Sequence, residues 1–225
     1  IPVSIISLEV KRKDAVRNIL GAEARVCLSD PASLQEETLN SLFHASGRLK
    51  ELPIDICDPA FLNTTTLRGI CRALKVHWQR AHPKQPQGLI IVDYLQRIRG
   101  ERYRSDTREN EVTQISATLK AIALELDYPL IALAQLNREV DHRDDNRPQL
   151  SDLRESGSIE QDADIILLLF RKSYYTKTQD DLSAELIVAK HRNGPTGFVP
   201  LIFNAAYMRF DSAEPEIKET RKHDY

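Results

Sequence analysis

Two apolar runs in the sequence end in a carboxylate: "IISLEV" delivers Glu9 and "GLIIVDYLQ" delivers Asp93. An acid in that position caps the turn or helix that follows, or it faces a Mg²⁺ ion, usually through water, beside the phosphates of a nucleotide. Glu9 is open in the same way. It is a helix N-terminal acid favoured by the dipole, or a general base that polarises an attacking water. Gln135 ends a third run, "IALAQLN". Its uncharged amide could feel a γ-phosphate and the attacking water without adding repulsion, or it is a plain polar strand end. Lys190 and Arg192 close "AELIVAKHR" two residues apart, so their side chains leave the strand on one side and His191 on the other. Such a pair either stabilises charge on a transferring phosphoryl group, often from a neighbouring subunit, or is a solvated edge.

Two polar segments carry binding chemistry. In "LRESGSIEQDAD" Arg154 can pair a phosphate, Gly157 lets a backbone come close, and free backbone N–H groups can grip a second phosphate. No aromatic interrupts the segment, so it would follow a nucleic-acid backbone rather than stack on bases. The alternative is a loop packed by its own ion pairs, Arg154 with Glu155 or Asp152. "RIRGERYRSDTREN" concentrates Arg97, Arg99, Arg102, Arg104 and Arg108 without apolar periodicity and reads as a basic loop.

These residues need a scaffold that brings strand ends together. Short β-rich runs at Val3–Leu8, Ile54–Cys57, Leu89–Val92 and Leu130–Ala134 alternate with helical spacing at Lys11–Leu20, Leu34–Leu49, Leu67–Arg80 and Glu111–Leu126. That alternation predicts an α/β fold, a mostly parallel sheet flanked by helices. In the last helix Val112, Ile115, Leu119, Ile122 and Leu126 share one face, leaving Glu111 and Lys120, like Asp14 in the first helix, to look outward. After Pro129 strands dominate, at Ile165–Phe170, Glu185–Ala189, Val199–Phe203 and Met208–Phe210, with "RNGPTG" as a hairpin turn. The fold is therefore expected to finish in antiparallel strands. Both polar segments follow a strand's C-terminal end, where open α/β sheets place ligands. The long one, from Asn137 to Asp164, runs about as long as loops that are usually functional or mobile rather than mere connectors.

A chain of 225 residues with 31 basic and 33 acidic side chains and net charge -2 can bury a full core as one unit. We expect one domain over residues 1–212 and a polar tail over 213–225. A nucleic-acid partner would have to meet a local basic patch, because the overall charge repels it. No apolar run reaches membrane-spanning length and no signal peptide is visible, so the expected location is cytosolic. The three cysteines, Cys27, Cys57 and Cys71, form no C-x-x-C pair and read as buried free thiols. The chain starts at Ile1 inside a strand-like run, which suggests that something lies upstream.

Taken together, "SLEV", "GLIIVDYLQRIRG", "PLIALAQLNREVDHRDDNRPQLSDLRESGSIEQDADIILLLFR" and "AELIVAKHRNGPTG" resemble the successive motifs of the DnaB family of replicative DNA helicases, in order and nearly in spacing, over about Val3 to Phe210. The resemblance implies a RecA-like ATPase domain using ATP and Mg²⁺, assembled as a hexameric ring around single-stranded DNA and unwinding 5′ to 3′. It also implies primase and a helicase loader as further partners. By motif, Glu9 resembles the catalytic glutamate, Asp93 the Mg²⁺-associated acid and Gln135 the γ-phosphate sensor. Lys190 and Arg192 resemble the pair that reaches a neighbour's nucleotide, Arg192 as the arginine finger. Arg154, Glu155 and Gly157 resemble the loop that holds the DNA backbone. The chain departs from the family in one respect: none of its eight glycines is followed by Lys, so it has no G-x-x-x-x-G-K-S/T loop to cradle phosphates. In the family that loop precedes the "SLE" strand, so it is expected upstream of Ile1, together with an N-terminal domain. Alone, the chain is expected to hydrolyse little or no ATP. The competing expectation is a non-catalytic single-stranded DNA-binding or ring-assembly module.

Overall fold

The computed structural model describes residues 1–28, 35–84, 87–100, 107–178 and 181–213; the side chains of residues 154–156 also fall outside the description. The polar tail expected beyond residue 213 lies outside the described residues, as do Arg102 and Arg104.

Four short strands, β1 (Val3–Ser7), β2 (Ile54–Cys57), β3 (Leu89–Asp93) and β4 (Leu130–Ala132), form a parallel sheet in the order β2-β1-β3-β4. Helices α1 (Arg12–Ala24) and α2 (Glu36–Lys50) follow β1. Helix α3 (Thr64–Ala81) follows β2, and α4 (Arg108–Leu126) follows β3. Local chemistry sets these boundaries. The Asn63 side chain accepts a hydrogen bond from Thr66 N–H to start α3, and Thr107 accepts one from Asn110 N–H to start α4. Asp127 ends α4 in the left-handed region.

Alternation along the strands decides what is buried. Ile6, Ile90 and Val92 point to one face and pack with Leu67, Cys71 and Trp78 of α3 and Val112, Ile115, Leu119, Ile122 and Leu126 of α4. The opposite row is half-open, and Ile131 and Leu133 are 46% and 45% exposed. Asp93 continues that opposite row from Leu89 and Ile91.

The second half is antiparallel, with β5 (Ile165–Phe170), β6 (Ser183–His191), β7 (Gly197–Asn204) and β8 (Arg209–Ser212) in sequential order. Two short helices, α5 (Gly157–Asp162) and α6 (Lys172–Thr176), flank β5. The fold class is thus the expected one. The turn between β6 and β7 falls on "RNGPTG", and the His191 imidazole lies where a Cβ on Gly194 would be, 2.3 Å from the nearest ring atom. That close approach is what the glycine permits.

Four expectations are corrected. Glu111 does not look outward: it is 2% exposed, paired with the Arg108 guanidinium and accepting a hydrogen bond from Gly100 N–H at 3.1 Å. A buried carboxylate is tolerable when charge and hydrogen bonds both meet it. Arg108 is accordingly the first residue of α4 and not part of a free basic loop. Of the cysteines only Cys71 is buried, where burial and then the neighbouring Cys57 push its thiol up to about 12; Cys57 is half-buried and Cys27 exposed. Finally, the segment from Asn137 to Asp164 is largely organised, as 3₁₀ turns at Arg138–His142 and Leu150–Ser156 running into α5.

Candidate functional site

Glu9 and Asp93 meet at the C-terminal edge of the parallel sheet, and Gln135 follows the neighbouring strand beyond that edge. Strands β1 and β3 pair with Ser7 opposite Asp93, and Leu8 N–H donates to the Asp93 carbonyl at 2.7 Å. The buried Ser7 hydroxyl then closes the next turn, donating to Val10 O at 2.8 Å and accepting from Val10 N–H at 3.3 Å. That serine turn sets out Glu9, which is exposed, beside the half-buried Asp93. The Asp93–Tyr94 peptide is cis. Burial, and after it the negative charge of Glu9, raise the Asp93 carboxyl above the usual range. The two carboxylates therefore sense each other.

The repulsion is the test of fit for a divalent cation. A cation at Asp93 would relieve the raised carboxyl, and Mg²⁺ suits a site with one or two protein carboxylates because it keeps several waters. A dedicated protein cage is not offered: among the described residues no group of three or more His, Cys, Asp or Glu is placed to hold a metal.

Gln135 lies three residues beyond the end of β4, not in the strand itself, and is exposed. Ladder pairing ends with Leu133 N–H on Val92 O at 2.9 Å. Beyond it the Gln135 backbone pairs with a side chain, Gln96, which sequence reading did not single out.

Lys190 and Arg192 sit elsewhere, at the end of β6, and both reach the C-terminal end of α5. Lys190 Nζ donates to Glu160 O and, at 2.8 Å, to Ala163 O. Arg192 donates to Asp164 Oδ1 at 2.9 Å and to Gln161 O at 3.3 Å. Cations at free helix carbonyls are favourable. Asp164 also pairs with Lys120, and that bond first, then both cations, holds its carboxyl below the usual range. The shared side of the strand is thus seen, with the neighbouring α5 as its target. Among the described residues no hydrogen bond or ion pair joins Lys190 or Arg192 to Glu9, Asp93 or Gln135.

The opposite end of α5 carries the loop expected to meet DNA. Gly157 is its first residue, with ordinary right-handed backbone (φ -50°) and nothing within 4 Å of an added Cβ. Neither conformation nor packing of the chain demands a glycine there. The Arg154 and Glu155 side chains lie outside the described residues, while their backbone belongs to the 3₁₀ turn. That turn is pinned by Asp152, 1% exposed, which accepts from Arg143 at 2.6 and 3.0 Å and from Gln149 N–H at 2.7 Å. The ion pairs of Arg154 with Glu155 or Asp152 that the sequence left open fall outside the described residues. In the other basic stretch, Arg97 and Arg99 are exposed and lie over the rings of Tyr94 and Phe61.

Comparison with known proteins gives the family of the chain and supports its fold. Residues 1–212 match the family described as the DnaB-like helicase C-terminal domain. The chain is 40% identical over 222 residues to the replicative DNA helicase DnaB of Geobacillus stearothermophilus, covering 97% of this chain and 47% of that protein. It is 42% identical over 215 residues to the replicative DNA helicase DnaC of Bacillus subtilis (strain 168), covering 94% and 46%. The chain thus spans about half the length of the curated relatives it matches. Two solved structures, one an ATPase domain and the other a DnaB-like replicative helicase described with its interactions with primase, each superpose with TM-score 0.84 at 35% identity over 95% of this chain, covering 75% and 51% of their own chains.

Proposed function

We propose, from the premise that this chain belongs to the DnaB-like helicase C-terminal domain family, that it is the motor portion of a replicative DNA helicase. It would hydrolyse ATP between subunits of a hexameric ring and unwind duplex DNA 5′ to 3′ in the bacterial cytoplasm. The observation that carries the reading is the juxtaposition of Glu9 and Asp93 at the ends of the paired strands β1 and β3, with Gln135 in the connection that follows β4. Among the described residues no helix is long and apolar enough to cross a membrane.

Mg²⁺ and ATP, when bound, supply a polarised phosphoanhydride whose hydrolysis releases the energy for unwinding. Asp93 would hold the metal, through water. Glu9, exposed at the sheet edge, would take a proton from an attacking water. Gln135 carries an uncharged amide to the same edge. Lys190 and Arg192, which among the described residues have no hydrogen bond or ion pair to Glu9, Asp93 or Gln135, would serve a neighbour's nucleotide. Helix α5 starts at the DNA loop and ends under Lys190 and Arg192, which offers a short mechanical path from DNA to the next subunit's site. Primase and a loader would act on the assembled ring.

The phosphate-cradling loop would be supplied by sequence upstream of Ile1, its helix covering the half-open sheet face that Asp93 shares. Extending the chain with a family-type G-x-x-x-x-G-K-S/T segment is expected to give ATP turnover stimulated by single-stranded DNA. The 225-residue chain alone should give none. Glu9→Gln in the extended protein should lower turnover about a hundredfold with nucleotide still bound. An extended protein that folds and forms rings yet shows no such turnover would favour the second reading, a DNA-binding or assembly module without catalysis. That reading draws on the absence of a Gly-Lys pair from this chain.

Gly157 gives a separate check on DNA. Gly157→Ala is expected to leave the fold intact, because the added methyl meets open space. Affinity for single strands should fall several-fold and equally for all sequences, since a backbone contact carries no base information. Fluorescence anisotropy with strands of different composition would read this; sequence-dependent loss, or none, would move the contact elsewhere.

A further inference from the structure

The Gln135 backbone lies past the sheet ladder, yet both of its polar groups are paired. Gln96 Nε2 donates to Gln135 O at 3.1 Å, and Gln135 N–H donates to Gln96 Oε1 at 3.2 Å. A carboxamide presents a donor and an acceptor side by side, as a peptide unit does, so one side chain substitutes here for a neighbouring strand. Gln96 is itself fixed at both ends. It occupies the 3₁₀ turn Leu95–Arg97, three residues after Asp93, where Leu95 N–H donates to Leu133 O at 2.8 Å. Its own carbonyl accepts from the Arg108 guanidinium, which also pairs with Glu111. The chain of contacts Glu111, Arg108, Gln96, Gln135 thus runs from the interior of α4 to the sheet edge.

We propose that Gln96 is a positioning residue for ATP hydrolysis: its side-chain carboxamide holds the Gln135 backbone at a fixed distance from Asp93 and so fixes where the Gln135 amide reaches. This rests on the reading of Gln135 as a residue that senses the γ-phosphate. Without the clamp, the Gln135 backbone would be tied only through its neighbours, by Leu133 N–H on Val92 O and Asn137 N–H on Asp152 O, among the described residues. Misplacement by about 1 Å is enough to cost turnover on the order of a hundredfold.

Two variants separate the hydrogen bonds from the bulk of the side chain. Gln96→Met keeps length and loses both bonds. Gln96→Glu keeps the acceptor at all pH values but offers the donor only when protonated. Facing the Gln135 carbonyl, that carboxyl would titrate above its usual value of about 4.3. In the extended protein, Gln96→Met is expected to lower kcat roughly tenfold to a hundredfold with KM for ATP little changed. Gln96→Glu should match that loss at pH 8 and recover toward wild type as pH falls to about 5.5, a profile that a purely structural defect would not give. Independently of activity, hydrogen exchange on the 225-residue chain should show the Gln135 amide exchanging roughly fivefold faster in Gln96→Met, with Val92 unaffected. Unchanged exchange at Gln135, or unchanged kcat in Gln96→Met, overturns the proposal. The control is Gln135→Ala. If it leaves turnover intact while Gln96→Met still speeds exchange, the role of Gln135 fails rather than the clamp; if it abolishes turnover while Gln96→Met leaves kcat unchanged, the clamp fails.

Discussion

Arg192→Ala is expected to reduce ATP turnover of the extended, ring-forming protein by about a thousandfold or more, the range measured for arginine fingers, while nucleotide and DNA still bind. The reason lies in what Arg192 does and does not touch. Its guanidinium is half exposed and rests on Asp164 and the end of α5. No hydrogen bond or ion pair takes it to Glu9 or Asp93 of its own subunit, among the described residues. Under the proposed function a cation so placed would meet charge brought by another subunit, and Asp164 is the partner it would leave. Subunit mixing turns this into a decisive measurement. Rings made only of Arg192→Ala subunits lack the finger, and rings made only of Glu9→Gln subunits lack the base. Mixed in equal amounts, about a quarter of the head-to-tail interfaces join an intact Glu9 to an intact Arg192. Turnover should then reappear. If Arg192 served its own subunit's nucleotide, every interface in the mixture would remain defective and no activity would return.

The range of a pattern along the chain explains which features the sequence announced. A carboxylate at the end of an apolar strand is a local pattern, so Asp93 and Glu9 could be named, and parallel pairing of β1 with β3 then brings them together. The spacing of Lys190 and Arg192 gave their common side, because alternation in a strand is also local. What sequence could not show were partners set by contacts distant along the chain. Glu111 flanks an apolar helix face and looks like a solvated acid until Arg108 and Gly100 close on it. Gln96 is one polar residue in "DYLQ", and only the approach of residue 135 from β4 gives it work. The Asn137–Asp164 segment has the composition of a loop. It folds into turns where Arg143 reaches the buried Asp152, nine positions later, in a part-buried two-bond pair.

Removing that last pair should produce the largest stability loss at a single charged position. Arg143→Met leaves the Asp152 carboxylate, 1% exposed, without its guanidinium and with only the Gln149 N–H bond. An uncompensated buried carboxylate of this kind costs about 3 kcal/mol. The pH dependence follows from the direction of titration. In the wild-type protein the Arg143 hydrogen bond holds the Asp152 carboxyl below its usual range. Stability from the ionised form is therefore fully present above the unfolded value of about 3.9 and is lost as pH falls through the lower folded value. In Arg143→Met, burial without the cation reverses the sign: the folded carboxyl titrates above 3.9, and protonation on acidification stabilises the variant relative to its unfolded chain. The gap in urea midpoint between the two proteins should consequently be widest near pH 7 and shrink toward pH 4.5. A gap of equal size at both pH values would mean that the guanidinium matters through packing and not through its charge on Asp152. Arg143→Met combined with Asp152→Asn should recover much of the loss, since no buried charge is then left unpaired. Because the same 3₁₀ turn carries Arg154 and leads into Gly157, the single variant should also weaken single-stranded DNA binding at pH 7. The double variant should restore that binding only as far as the turn itself re-forms.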